Sequence, residues 1–216
     1  MRFHWVNLTI VSMLGMQLGV VQQVVAAPVC LANIRATTPS EDFVLNDSNG
    51  TAIHLKTGLV WMRCQLGATW DAVNKTCTGT LSDYTWGSGL RKAQGFIYAG
   101  YTDWRIPNAK ELTTIVEERC HDPSLNETVF PGVSGAYDCA WSSTPATGDG
   151  SQAWEVCFHD RGDLNRWHKG NFQHLRLVRG GNTYGDYPPE ICSACLPSGY
   201  GGWRATLGTS TPTPTP

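Results

Sequence analysis

Beyond its first two dozen residues the sequence has no apolar run long enough to cross a bilayer as a helix. It also lacks a Gly-x-Ser-x-Gly elbow, a His-Glu-x-x-His pair, a phosphate-binding Walker loop and a Gly-x-Gly-x-x-Gly dinucleotide fingerprint, so none of the common catalytic constellations is present. The six histidines and the carboxylates fall at spacings that form no general acid and base pair. No collagen triplet, coiled-coil heptad or internal repeat occurs. Charge of one sign is scarce as well: the formal net charge of −2 over 216 residues argues against a general nucleic-acid binder. These absences point to a non-catalytic chain without a cofactor, a nucleic-acid partner or a stable membrane span.

What is present begins with an export signature. Arg2 precedes an apolar run from Val6 to Val21, interrupted by Gln17, and the small residues Ala26 and Ala27 follow. Residues 1–26 read as a secretory signal peptide cleaved after Ala26. Ala27, Pro28 and Val29 before Cys30 match a lipoprotein acceptor box poorly. All eight cysteines lie beyond this segment, and an even number in an exported chain reads as disulfides. The expected location is the cell surface, periplasm or extracellular space. Nine tryptophans make a substantial core feasible at this length.

Short strands are expected over Phe43–Leu45, Thr51–Leu55 and Gly58–Met62, the first two joined by the turn-forming Asn-Asp-Ser-Asn-Gly at 46–50. Trp86, Leu90, Ala93 and Ile97 recur at helical spacing and predict a helix from about Tyr84 to Ile97, interrupted by glycines at 87, 89 and 95. A second helix follows Pro107, with Asn108 as its cap, Glu111 three residues on, and Leu112, Ile115 and Val116 as its apolar stripe. From Cys139 the pattern turns to strands. Trp154, Val156 and Phe158 alternate with Glu155, Cys157 and His159, and Leu164–Trp167 and Leu175–Arg179 are the expected partners in an antiparallel sheet. After Gly181 comes a Gly/Pro/Cys-rich extension, 182–209, and a Thr-Pro tract, 210–216, suited to a stiff spacer or tail.

Five short blocks carry a family resemblance: Thr-Gly-Leu-Val-Trp at 57–61, Asp-Trp-Arg-Ile-Pro at 103–107, Trp-Ser-Ser-Thr-Pro at 141–145, Ala-Trp-Glu-Val at 153–156, and Arg-Leu-Val-Arg-Gly-Gly at 176–181. In this order they resemble the C-terminal domain of Legionella collagen-like adhesins. The resemblance implies an α+β domain over residues 27–181 with a C-type-lectin-like fold: two helices, antiparallel sheets and disulfide staples. It further implies a binding role, with sulfated polysaccharides as ligand class, and the pairings Cys64 with Cys77 and Cys30 with Cys120. In the chain-entropy model the longer loop stabilises by about 4–5 kcal/mol and the shorter by about 3. Cys139 and Cys157 depart from the family pattern and can staple two neighbouring strands. Cys192 and Cys195 form a lone Cys-x-x-Cys, readable as a local disulfide, a redox couple or half of a zinc site.

The interval from His159 to Arg179 holds the candidate site. Arg161, Arg166, Lys169, Arg176 and Arg179 stand against Asp160 and Asp163, a local excess of three positive charges in a slightly negative chain. Guanidinium and ammonium groups recognise sulfate or carboxylate by charge-assisted hydrogen bonds, and an exposed ring can stack on a sugar face. The ligand-binding surface is therefore centred on Arg161, Arg166, Trp167, His168 and Lys169. The alternative is a solvated strand face whose Asp160, Arg161 and Asp163 neutralise one another, with Arg176 and Arg179 structural.

Calcium-mediated sugar binding is not expected, because Ile106-Pro107-Asn108 lacks a leading acid and Trp141-Ser142-Ser143 lacks a carboxylate and amide. Trp104, Trp141 and Trp154 read as core, and Arg105 as one half of an ion pair with Glu111 or Glu155. Protein partners or self-association, as in a filament cap or head, remain the other expectation for the module.

Overall fold

The computed structural model describes residues 27–132 and 138–180. The expected signal peptide, 1–26, the 182–209 extension with Cys192 and Cys195, and the 210–216 tract lie outside the described residues. The fold is α+β with two helices, antiparallel sheets and three disulfides.

In chain order the strands are β1 (Val29–Cys30), β2 (Phe43–Asn46), β3 (Thr51–His54), β4 (Leu59–Met62), β5 (Thr69–Asp71) and β6 (Thr76–Thr78). The helices α1 (Trp86–Ala93) and α2 (Ala109–Thr113) follow, then β7 (Cys120–His121), β8 (Cys139–Pro145), β9 (Gln152–Cys157), β10 (Asp163–His168) and β11 (Val178–Arg179). A four-stranded sheet runs in the order β11-β4-β3-β2 and a three-stranded one in the order β10-β9-β8. The pairs β1-β7 and β5-β6 form two small ribbons.

The turn chemistry at 46–50 works as expected. The Asn46 side chain accepts from the Ser48 N–H and hydroxyl, and Gly50, at φ 68°, leaves the space that the Trp70 ring fills. Every residue of β3 and β4 is buried, since both faces of the sheet are covered. Alternation sends Ala52, Leu59 and Trp61 into one apolar cluster with Phe130, and Ile53, Val60 and Met62 into another with Trp104 and Trp141.

Helix α1 is shorter than the periodicity predicts. Thr85 caps it by accepting from the Ser88 N–H, Tyr84 is drawn instead into a bridge with Gln173, and Gly95 turns the chain away at φ 70°. Gly89 has a packing reason: a Cβ there would lie 3.0 Å from a Leu175 methyl. Helix α2 starts where the sequence places it, with a complete capping box between Asn108 and Glu111. It ends after Thr113, yet Ile115 and Val116 are fully buried, so the stripe packs although the helix does not continue beneath it. Arg105 pairs with Glu111 through two 2.7 Å hydrogen bonds, and not with Glu155.

Two strand expectations are corrected. Leu175–Arg179 does not complete the sheet of β8, β9 and β10; its Val178 and Arg179 pair with Trp61 and Val60 of β4. The reason is that this segment crosses between the two clusters, burying Leu175 and Leu177 in one and Val178 in the other. In β9, Trp154 is only half-buried, whereas Ala153 and the run from Glu155 to Phe158 are buried. β9 is a central strand with packing on both faces, so a simple inward and outward alternation does not apply.

The disulfides close the frame. Cys30–Cys120 joins β1 to β7 over 90 residues, Cys64–Cys77 spans 13, and Cys139–Cys157 staples facing residues of β8 and β9. Beside the first bridge, the buried Glu117 carboxylate accepts from the N–H groups of Thr37 and Thr38 and from the Thr38 hydroxyl, fixing the entering chain. Burial alone would raise its pKa, but those bonds and the Arg119 N–H outweigh burial and hold it below the usual 4.5.

Two outcomes follow from this packing. His54 is buried with its pKa pushed down from 6.5 to about 4 by desolvation, so it folds neutral. The unfolded chain binds a proton there first, and stability should fall as pH drops from 6.5 toward 4, by roughly 3 kcal/mol at most. Glu117 contributes stability above its unfolded value and loses it as pH falls through the lower folded value. Urea midpoints measured against pH should show a flatter pH 4–6.5 limb in His54→Gln and a flatter limb below 4.5 in Glu117→Gln. Separately, Gly162 sits at φ 77° with Val116 against the position a Cβ would take. Gly162→Ala should therefore cost about 1–3 kcal/mol in the same measurement, through strain and overpacking.

Candidate functional site

The five candidate ligand residues sit on or beside one hairpin. β9 ends at Cys157, the chain turns through 158–162, and Gly162 donates its N–H back to the Cys157 carbonyl at 3.1 Å. β10 then pairs with β9 along its whole length, from Asp163 opposite Cys157 to His168 opposite Gln152, and the Lys169 N–H extends the ladder to the Ser151 carbonyl. Among the described residues β10 pairs with β9 alone, so it forms the edge of the described sheet. All six of its residues are exposed, on both faces, including Leu164 at 42% and Trp167 at 46%.

Strand alternation divides the candidate residues between these faces. Arg166 lies opposite Trp154 in the register, with its guanidinium 5.8 Å from the indole centroid, and His168 shares that face. Trp167 projects from the other face, opposite Ala153. Lys169 follows, its ammonium 4.3 Å from the Trp86 ring and donating to the Gly150 carbonyl at 2.8 Å. Arg161 stands exposed in the turn. The His168 Nδ1 accepts the Gly170 N–H at 3.1 Å.

Among the described residues, no ion pair involves Arg161, Arg166 or Lys169. The neutralisation by Asp160 and Asp163 that the sequence allowed is not made. Asp149 lies near enough to feel the patch: its carboxyl is held below the usual range chiefly by the Ser151 hydroxyl and N–H, with His168 and Arg166 adding to the effect. The other two cations of the interval do not belong to the surface. Arg179 pairs with Asp103 at 2.8 Å, and Arg176 is fully buried, donating to the Arg63 carbonyl at 2.7 Å. Burial pushes the Arg176 pKa down to about 10, against the opposing charge of Asp138.

Two aromatic members escaped the sequence reading. Trp154 was expected in the core and Trp86 inside a helix face, yet both are half-buried beneath a cation. Only the cross-strand register and the helix start place them there; the sequence spacing between 86 and 169 carries no such signal.

A concavity of about 490 Å³ lies between α1 and the start of α2, lined by residues that include Leu90, Gln94, Arg105, Asn108, Glu111 and Ser143. Its charged groups are occupied with one another. Burial would raise the Glu111 pKa, but Arg105 and the Asn108 N–H outweigh it and keep the carboxylate charged. Behind β9 there is also a polar cluster. Glu155 is 3% exposed, its pKa pushed up to about 7 by burial against a bond from Gln173, and its Oε2 has no hydrogen-bond partner. Beside it, the sulfurs of Cys139 and Cys157 and a ring nitrogen of His159 lie within 4.8 Å of one another.

The chain matches none of the curated proteins. A family model does match, the Lcl C-terminal domain, and it covers residues 50–179, from the β2–β3 turn to the last residue of β11. With more than half of its length matched in this way, the chain belongs to the Lcl C-terminal domain family.

Proposed function

We propose that the chain is an exported, non-catalytic binding module that recognises anionic glycans, sulfated polysaccharides foremost, through the β10 edge. The observation that carries this reading is the group Arg161, Arg166 and Lys169 on and beside an exposed edge strand, in no ion pair among the described residues, with Arg166 and Lys169 over indole rings. A cation already paired with a carboxylate would have to be separated from it before binding sulfate; among the described residues Arg161 and Arg166 form no ion pair that would have to break. The exposed indole of Trp167 offers an apolar face for a sugar ring, while Trp154 and Trp86 lie beneath Arg166 and Lys169 and help hold these cations in place. Because Arg166 and Trp167 project from opposite faces, a linear chain engages both only by lying along the edge. Membership of an adhesin-related family supports a binding role, and the cysteine usage with the amino-terminal export signature supports a site outside the cytoplasm.

Retention on immobilised heparin tests the site. Arg161→Ala/Arg166→Ala should weaken binding by about tenfold or more, since each charge-assisted hydrogen bond contributes about 1.5–3 kcal/mol. The salt dependence of the remaining binding should be shallower. Arg91→Ala/Lys92→Ala removes the same charge from the exposed side of α1 and should leave retention unchanged. Equal losses in both variants would reduce the effect to net charge and sink the assigned surface.

One observation favours a second reading, a module that contacts protein partners: among the described residues the outer backbone edge of β10 has no strand partner, and Leu164 and Trp167 are exposed along it. If heparin is not retained, sedimentation of the wild-type chain and of Leu164→Pro, which removes an N–H that faces away from β9, discriminates. Concentration-dependent association that the proline abolishes would favour strand addition over glycan binding.

A further inference from the structure

On β9 and just beyond it, Glu155, Cys157 and His159 recur at every second position, so all three side chains leave the same face of the strand. Cys139 of β8 stands directly opposite Cys157. The result is a convergent donor set from two strands: two sulfurs, an imidazole and a carboxylate. The Cys139 Sγ lies 3.7 Å from the His159 Nδ1, and the Cys157 Sγ lies 3.6 Å from the Glu155 Oε1. The three sulfur and nitrogen donors all fall within 4.8 Å of one another. Tetrahedral zinc, with bonds of about 2.0–2.3 Å to nitrogen and sulfur, needs donor separations of about 3.3–3.8 Å. The two sulfurs are bonded to each other here, so that geometry requires the bridge to open and the sulfurs to move apart.

The disulfide alone accounts for the two sulfurs, but not for what surrounds them. Glu155 is 3% exposed and its Oε2 has no hydrogen-bond partner, an arrangement that costs stability unless something compensates it. Gln173 bonds the carboxyl group, yet Oε2, on the side chain next to the Cys157 sulfur, is left without a partner. Glu155 and the bridge are thus arranged as parts of one site of which only the oxidised form is seen.

We infer that the Cys139–Cys157 disulfide masks a zinc site, which reduction opens with Cys139, Cys157 and His159 as ligands and Glu155 as the fourth donor. The balance is simple. A dithiol reductant transfers two electrons to the bridge, its own two thiols becoming a disulfide, and Cys139 and Cys157 become thiols. Zinc then replaces their two protons, which are released to solvent, and the S–S bond is exchanged for two Zn–S bonds. The site carries a redox dependence: the oxidised domain holds no metal there, and the reduced domain keeps β8 stapled to β9 through the ion. The inference is independent of the glycan surface, because none of its four residues lies on β10.

Cobalt(II) is the probe, since thiolate ligation gives it intense near-ultraviolet charge-transfer absorption. Full-length protein carrying Cys192→Ser/Cys195→Ser, which removes that Cys-x-x-Cys pair, is reduced anaerobically with a phosphine and titrated with cobalt. One equivalent should bind with a two-thiolate spectrum that zinc then bleaches, and zinc should raise the melting temperature of the reduced protein. The oxidised protein should give no such band. His159→Ala should weaken cobalt binding by about tenfold or more while retaining the thiolate band. Cys139→Ser/Cys157→Ser, which leaves the thiols of the other two bridges available, should lose the band altogether. Absence of the band from the reduced protein, its survival in the double serine variant, or unchanged affinity in His159→Ala would each overturn the inference.

Discussion

The fully buried guanidinium of Arg176 is the point on which the two halves of this fold meet. It donates to the Arg63 carbonyl at the end of the first sheet, lies 4.9 Å from the Phe130 ring, and is balanced in part by Asp138 at the entry to the second sheet. Arg63 is itself buried and donates to Asp47 and to the carbonyls of Thr128 and Val129. A buried cation without such partners would be prohibitively unstable, so the loops that supply them are held in one arrangement. The backbone on either side of Arg176 is bound as tightly: Leu175 and Leu177 accept from Leu66 and Met62, and Val178 exchanges bonds with Arg105. The segment from Gln173 to Arg179 is thereby a strap across both apolar clusters, and the family block at 176–181 coincides with it.

What that strap leaves outside is the candidate site. With β8 and β9 covered on both faces and the strap running beyond β8, the hairpin strand β10 is pushed to the edge, where neither cluster reaches it. Cations there are solvated and unpaired, whereas Arg63, Arg105, Arg176 and Arg179 have been drawn into structural roles. Five of the chain's arginines and lysines lie close together in sequence from 161 to 179, but folding sorts them into two kinds. The distinction is one of burial and partners, and charge counting does not reveal it.

The bridges act at different ranges. Cys30–Cys120 removes the freedom of a long loop, an effect of about 4–5 kcal/mol on the unfolded chain, while Cys139–Cys157 joins residues already held opposite one another by the sheet. By loop length it constrains far less than Cys30–Cys120 and about as little as Cys64–Cys77. That leaves the surrounding Glu155 and His159 as the more informative feature of its setting.

The sequence by itself determined the α+β class, the family through its five ordered blocks, the capping box of Asn108 and Glu111, and the turn at 46–50, because each depends on residues near one another along the chain. It also determined that Cys139 and Cys157 could join neighbouring strands, and it located the basic interval from which the candidate surface is drawn. Only the tertiary structure decided that Val178–Arg179 joins β4, that α1 begins at Trp86, and that Trp154 lies beneath Arg166 while Lys169 lies over Trp86. It likewise decided that Arg166 and Trp167 look out from opposite faces of an edge strand and that Arg176 is buried. Local propensity fixes what a segment can form; which neighbour covers it, and hence which of its charges meet water, depends on segments far away in sequence, as the bond from Arg176 to Met62, 114 residues apart, illustrates.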